Sequence, residues 1–317
     1  MNLTAAPQKT RLQALGKLTG IHAATVCPLT KAFAPDENAL ANHLERVVEV
    51  KGIQGLLVNG HAGENAQLDR AEKRSVVSIA RHVLGSDRFL TAGVYSEDTA
   101  TAVLHARDAE EAGADAILVF PPNAWALGQC ADVVLAHHKA IAEATSLPLV
   151  LYQAPVSWTG MVYPANTLAQ LAQLPSVVGV KEGSWEVATY EENRLAAKAV
   201  RPDLAVLGSG DEHLLVTYLL GTEGSQVSLA AVVPQLVVEL WNCAERGDWA
   251  AALQAHRRLY PLATAIYRRT PSFRATARLK ACLRILGYIE NDTMRPPGLP
   301  LPKDEYTVLE QALRLCS

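Results

Sequence analysis

Val177-Val178-Gly179-Val180-Lys181-Glu182-Gly183 is the stretch that decides the fold. Its apolar, mostly β-branched run reads as a strand buried on both faces, as parallel strands are when helices cover them. Working outward, seven more strand-length apolar runs recur, at 22–26, 53–59, 89–94, 116–120, 147–152, 204–207 and 224–229. With 177–181 that makes eight. Amphipathic stretches separate them. In 37–50, Leu40, Leu44, Val47 and Val48 share one helical face, and 99–111 stops before Gly113, a plausible C-cap. Strands alternating with helices argue for an α/β fold with a parallel sheet. Eight units in roughly 230 residues predict a closed (β/α)8 TIM barrel. The alternative is a doubly wound open sheet, weakened because no GxGxxG follows the first run. Beyond residue 234 the strand pattern stops, and 238–246, 249–264, 274–286 and 304–315 read as helices. The expected organisation is an N-terminal arm (1–19), a barrel (20–234) and a C-terminal helical extension (235–317).

Composition narrows the function. The 317 residues are 49% hydrophobic and 19% charged, with a net charge of −3, which is globular and not disordered. No basic field is present to hold nucleic acid. No apolar run reaches the roughly 18 residues of a membrane helix, and the first twenty residues do not read as a secretory signal. The five cysteines are odd in number and widely spaced, without CxxC, as expected for reduced thiols of a cytoplasmic protein. Cys130, His137 and His138 lack metal-ligand spacing, so no zinc is expected.

In a barrel the chemistry sits where strands end at their C-terminal side. The second run ends in Asn59-Gly60-His61-Ala62-Gly63-Glu64, a turn whose Ala62 and Gly63 amides are placed to hold an anion. Its plainer reading is a tight turn that needs small residues. The fifth run ends in Tyr152-Gln153-Ala154-Pro155, where Tyr152 is either a core residue or a rim hydroxyl. Lys181 closes the sixth. Lysine is seldom buried without a reason, and desolvation makes its amine a nucleophile toward a carbonyl. Snorkelling to solvent is the alternative.

These motifs, in this order, resemble the dihydrodipicolinate synthase/N-acetylneuraminate lyase superfamily of class I aldolases. The resemblance rests on G-x-x-G-E, Tyr-x-x-Pro and V-G-V-K-E, with Lys280-Ala281-Cys282 and Asp292-Thr293-Met294-Arg295-Pro296 in the extension, over roughly residues 20–315. It implies that Lys181 forms an imine with a 2-oxo acid and that Tyr152 is the general acid/base. It further implies that Ala62 and Gly63 hold the substrate carboxylate, that no metal or cofactor takes part, and that the chain forms a homotetramer.

Departures from the family pattern bear on the substrate. The usual hydroxyl pair of the glycine-rich turn is His61 and Ala62 here, so His61 is expected to relay protons, as an imidazole that titrates near neutral pH. The fourth run ends in Phe120-Pro121-Pro122-Asn123-Ala124-Trp125, without the interface tyrosine of the synthases. Trp158 stands near the place of an arginine that binds a second carboxylate, and an indole cannot replace a guanidinium. The expected substrate is therefore a 2-keto-3-deoxy sugar acid or related pyruvate adduct, dehydrated or cleaved by an aldolase reaction. The alternatives are 4-hydroxy-tetrahydrodipicolinate synthase and a non-catalytic barrel that binds a 2-oxo acid. Trp125, Trp158 and Trp185 are expected to line the mouth. Asn123, Ser209, Asp211, Gln226 and Ser228 are expected to contact the variable part of the substrate.

Overall fold

The computed structural model describes residue 14 and residues 16–316. Most of the N-terminal arm expected over 1–19 therefore lies outside the described residues. Eight parallel strands close into one barrel in chain order: β1 (Gly20–Ala24), β2 (Ile53–Val58), β3 (Phe89–Val94), β4 (Ala116–Val119), β5 (Leu149–Gln153), β6 (Val177–Glu182), β7 (Ala205–Gly208) and β8 (Gly224–Val227). β8 pairs with β1 to complete the ring. Each apolar run of the sequence holds one strand, displaced by at most two residues at an end. β1 starts at Gly20, whose φ of +70° suits glycine, and the run seen in the sequence overshoots it into the following loop.

The helices begin where side chains can cap them. Asp36, Asp69 and Asp98 each accept the N–H three residues ahead, and Asp69 forms a full capping box with Glu72. Beyond β8, the helix Pro234–Glu245 packs on β1 and on the helix Leu214–Leu220, as the eighth helix of a barrel does. Trp249–Tyr267, Ala275–Ile285 and Lys303–Arg314 follow outside the strand–helix alternation. The last two are joined by a buried ion pair, with Arg278 Nε donating to Glu305 at 2.5 Å. Among the described residues no helix is long and apolar enough to cross a membrane.

Candidate active site

A cavity of about 590 Å³ opens at the C-terminal ends of the strands, between the barrel and the extension. β5 and β6 pair in register with Tyr152 opposite Lys181, and both side chains line the cavity. Side chains alternate along a strand, so the same register turns Glu182 away. There Glu182 accepts from Ser184 Oγ (3.0 Å) and Asn193 Nδ2 (2.9 Å), and burial pushes its carboxyl up to about 7. Its backbone carbonyl accepts from both the N–H and the Oγ of Ser209, which fastens the loop after β7 to β6.

The Lys181 ammonium lies 5.9 Å from the centre of the Tyr152 ring. Burial lowers the lysine's pKa, and the carboxylate of Asp211 opposes that shift. Asp211 accepts the Leu229 N–H at 2.8 Å, and its own pKa is raised by burial. Burial, with Glu182 adding to it, raises the Tyr152 hydroxyl above its ordinary value, so it stays protonated at neutral pH. The site thus offers an amine of lowered pKa, a neutral phenol and a carboxyl group in one cavity.

His61 joins them. Its ring packs among Phe120, Tyr152 and Trp158, with centroids 4.4, 5.2 and 5.3 Å away. Two expectations about this turn need correction. His61 does not titrate near neutrality: burial, and then the charge of Lys181, push it down to about 3. It is a neutral imidazole throughout the working range. Gly63 does not offer its amide to an anion either. Residues His61–Gly63 form a 3-10 turn, and its closure directs the Gly63 N–H onto the Gly60 carbonyl at 3.0 Å. Ala62 lines the cavity, and its amide has no protein partner among the described residues.

Of the other expected contacts, Trp158, Trp185, Ser209, Asp211 and Ser228 line the cavity. Trp185 does so with a left-handed backbone (φ +61°), uncommon for a bulky residue and more often found at functional sites. Three residues are placed elsewhere. Asn123 faces away and donates to the Tyr95 hydroxyl at 2.8 Å, while its N–H binds Glu97. Gln226 is buried inside the barrel, donating to Thr91 Oγ1 at 3.2 Å. Trp125 packs on His137 and Tyr163 behind the mouth. In each case the residue follows a strand end or closes a strand, and proximity in sequence to the mouth did not fix which way the side chain turns.

The far wall carries no strand-end signal in the sequence. Tyr267, Arg268, Phe273, Thr276 and Leu279 come from the extension, and the Tyr267 ring packs against Trp185 at 4.8 Å. No strand-end rule reaches these residues. Arg268 is held by Glu212, which accepts from its Nε at 2.8 and 2.6 Å.

A model of the dihydrodipicolinate synthetase family matches residues 17–315. The chain belongs to that family. As a member of the dihydrodipicolinate synthetase family it is a lyase. It is 34% identical to the 4-hydroxy-tetrahydrodipicolinate synthase of Parasynechococcus marenigrum over 92% of each chain. It is 32% identical to 4-hydroxy-tetrahydrodipicolinate synthase 1 of Streptomyces coelicolor over 83% of each. An uncharacterised DapA-like lyase of Thermococcus kodakarensis is 26% identical, with 88% of this chain and 93% of that one covered. Among solved structures, the dihydrodipicolinate synthase of Thermotoga maritima superposes with a TM-score of 0.86 at 25% identity, covering 93% of this chain and 97% of its own.

Proposed function

We propose that this lyase works through an imine on Lys181. The amine attacks the ketone carbon of a 2-oxo acid, the carbinolamine loses water, and the resulting iminium draws electrons from the neighbouring carbon. From that state a 2-keto-3-deoxy acid either loses its C3 proton and then its C4 hydroxyl, or loses the C4 hydroxyl proton and breaks the C3–C4 bond. Tyr152 moves the proton in either course, and neutral His61 stands beside it as a relay. The Ala62 amide supports one end of the substrate carboxylate. The reading calls for no metal and no cofactor, since the imine is itself the electron sink. The observation that carries it is a desolvated Lys181 amine in register with Tyr152 at the barrel mouth. A homotetramer in the cytoplasm is the proposed state of the protein.

The test is incubation with pyruvate and borohydride, followed by peptide mass spectrometry. A reduced adduct on Lys181 is expected, and its absence with every 2-oxo acid tried would overturn the mechanism. A panel of 2-keto-3-deoxy acids, scored for pyruvate release against semialdehyde formation, separates aldolase from dehydratase.

The names of the relatives favour a second reading, 4-hydroxy-tetrahydrodipicolinate synthase. Against it, the cationic groups lining the cavity among the described residues are Lys181 and Arg268, and Arg268 is already paired with Glu212. A second carboxylate on the substrate would lack a free guanidinium. Condensation of pyruvate with a carboxylated aldehyde at a rate near that of the preferred deoxy acid would establish the synthase instead.

Two variants probe the proton chemistry. Asp211 raises the pKa of Lys181, so Asp211→Asn is expected to move the midpoint of the trapping rate against pH toward acid, because the free amine then persists to lower pH. A midpoint that stays or moves alkaline contradicts the pairing. His61→Ala is expected to slow turnover about tenfold. The shape of its pH profile from 5 to 9 should be that of the wild type, since the ring is already neutral there. An unchanged rate removes His61 from the relay.

A further inference from the structure

We infer that Lys280, on the extension helix Ala275–Ile285, is a positioning residue that acts through Glu64 to aim the His61–Gly63 turn at Lys181. The inference rests on the imine reading above and adds to it what holds the carboxylate-binding side of the site in place.

The turn makes its shape locally but not its position. Its internal hydrogen bonds run from the N–H of Gly63 to Gly60, of Glu64 to His61 and of Asn65 to Gly60. All of them lie within the turn, so none ties it to the strand bearing the amine. Beside the ring contacts of His61, the polar ties come from the extension. Glu64 sits in the left-handed region (φ +56°) with its carboxylate turned away from solvent. One of its oxygens takes the Lys280 ammonium, and the other accepts the Arg295 N–H at 3.2 Å. Lys280 is wholly buried and also donates to the Thr293 carbonyl at 2.9 Å. One helical turn before it, Thr276 Oγ1 donates to the His61 carbonyl at 3.2 Å. The two side chains, four residues apart on one helix face, therefore grip both ends of the 61–64 segment.

A buried ion pair is a poor source of net stability, because desolvating both charges offsets their attraction. What it supplies here is a fixed place. Each Glu64 oxygen has one partner, so the turn has one seat, and the His61 ring and the Ala62 amide take their directions from it. The extension is then part of the catalytic apparatus, although Lys280 does not line the cavity.

The experiment compares Thr276→Val, the paired variant Glu64→Gln with Lys280→Met, and Thr276→Ser in borohydride trapping with pyruvate and in hydrogen–deuterium exchange. Lys280→Met alone leaves a buried carboxylate unpaired and risks unfolding, so the paired and threonine variants keep the test open. Thr276→Val and the paired variant are expected to raise the half-saturating pyruvate concentration about 10- to 100-fold while the maximal trapping rate falls much less. Exchange at residues 60–68 should quicken in both, and Thr276→Ser should restore wild-type behaviour. Folded variants with unchanged half-saturation and unchanged exchange would overturn the positioning role. A wild-type protein that traps no pyruvate would overturn the imine reading instead, and exchange at 60–68 would then decide the role of Lys280 by itself.

Discussion

Lys181→Ala is expected to abolish the borohydride-trapped adduct and to lower turnover by at least about 10³-fold, the scale of loss when a covalent nucleophile is removed. The effect should be large because Lys181 is the one amine that β6 delivers to the mouth, and in the proposed mechanism its iminium makes the neighbouring carbon acidic. Burial lowers its pKa, so more of it is free amine at neutral pH than an exposed lysine would supply. The substitution shortens a side chain at the edge of a cavity, so the barrel should fold and melt close to the wild type. Mass spectrometry of the trapped protein and a thermal melt check both halves. Residual trapping at another lysine would contradict the assignment.

Tyr152→Phe should lower turnover about 10²- to 10⁴-fold, the range for loss of a positioned general acid/base. The ring itself remains. It packs on Phe120 with centroids 4.7 Å apart and faces His61 at 5.2 Å, contacts that phenylalanine keeps. What disappears is a hydroxyl held protonated by burial, and with it the proposed donor that helps the carbinolamine lose water. Single-turnover trapping measures that step. A variant that traps pyruvate at the wild-type rate and turns over normally would show that the proton takes another route.

The strands were legible because burial on both faces leaves a continuous apolar run, and that is a local pattern. Val177–Glu182 shows how far such reading goes. The run gave the strand, its end gave the mouth, and lysine at an apolar end gave the proposed nucleophile. Tyr152 followed the same logic, and the register of β5 with β6 then set it opposite Lys181. The rule has a limit, which Gln226 illustrates. It lies one residue before the end of β8, yet its side chain turns inside the barrel toward Thr91. Asn123 and Trp125 lie past a strand end in a turn whose direction depends on Glu97 and His137, both distant in sequence.

Sequence alone determined the repeating strand–helix order and the family pattern, and it singled out Lys181 and Tyr152 for the proposed chemistry. Each is written in runs or motifs that neighbouring residues define. Tertiary structure lowered the pKa of His61, since burial among neighbouring rings and the lysine brought beside it both disfavour the imidazolium. It decided that the Gly63 amide closes a turn and does not face a ligand. It also decided the far wall, where Tyr267, Thr276 and Lys280, the buried partner of Glu64, come from helices more than two hundred residues beyond the turn they complete. Burial and electrostatics are sums over neighbours in space, and for these residues the neighbours are assigned only when the extension folds back over the barrel.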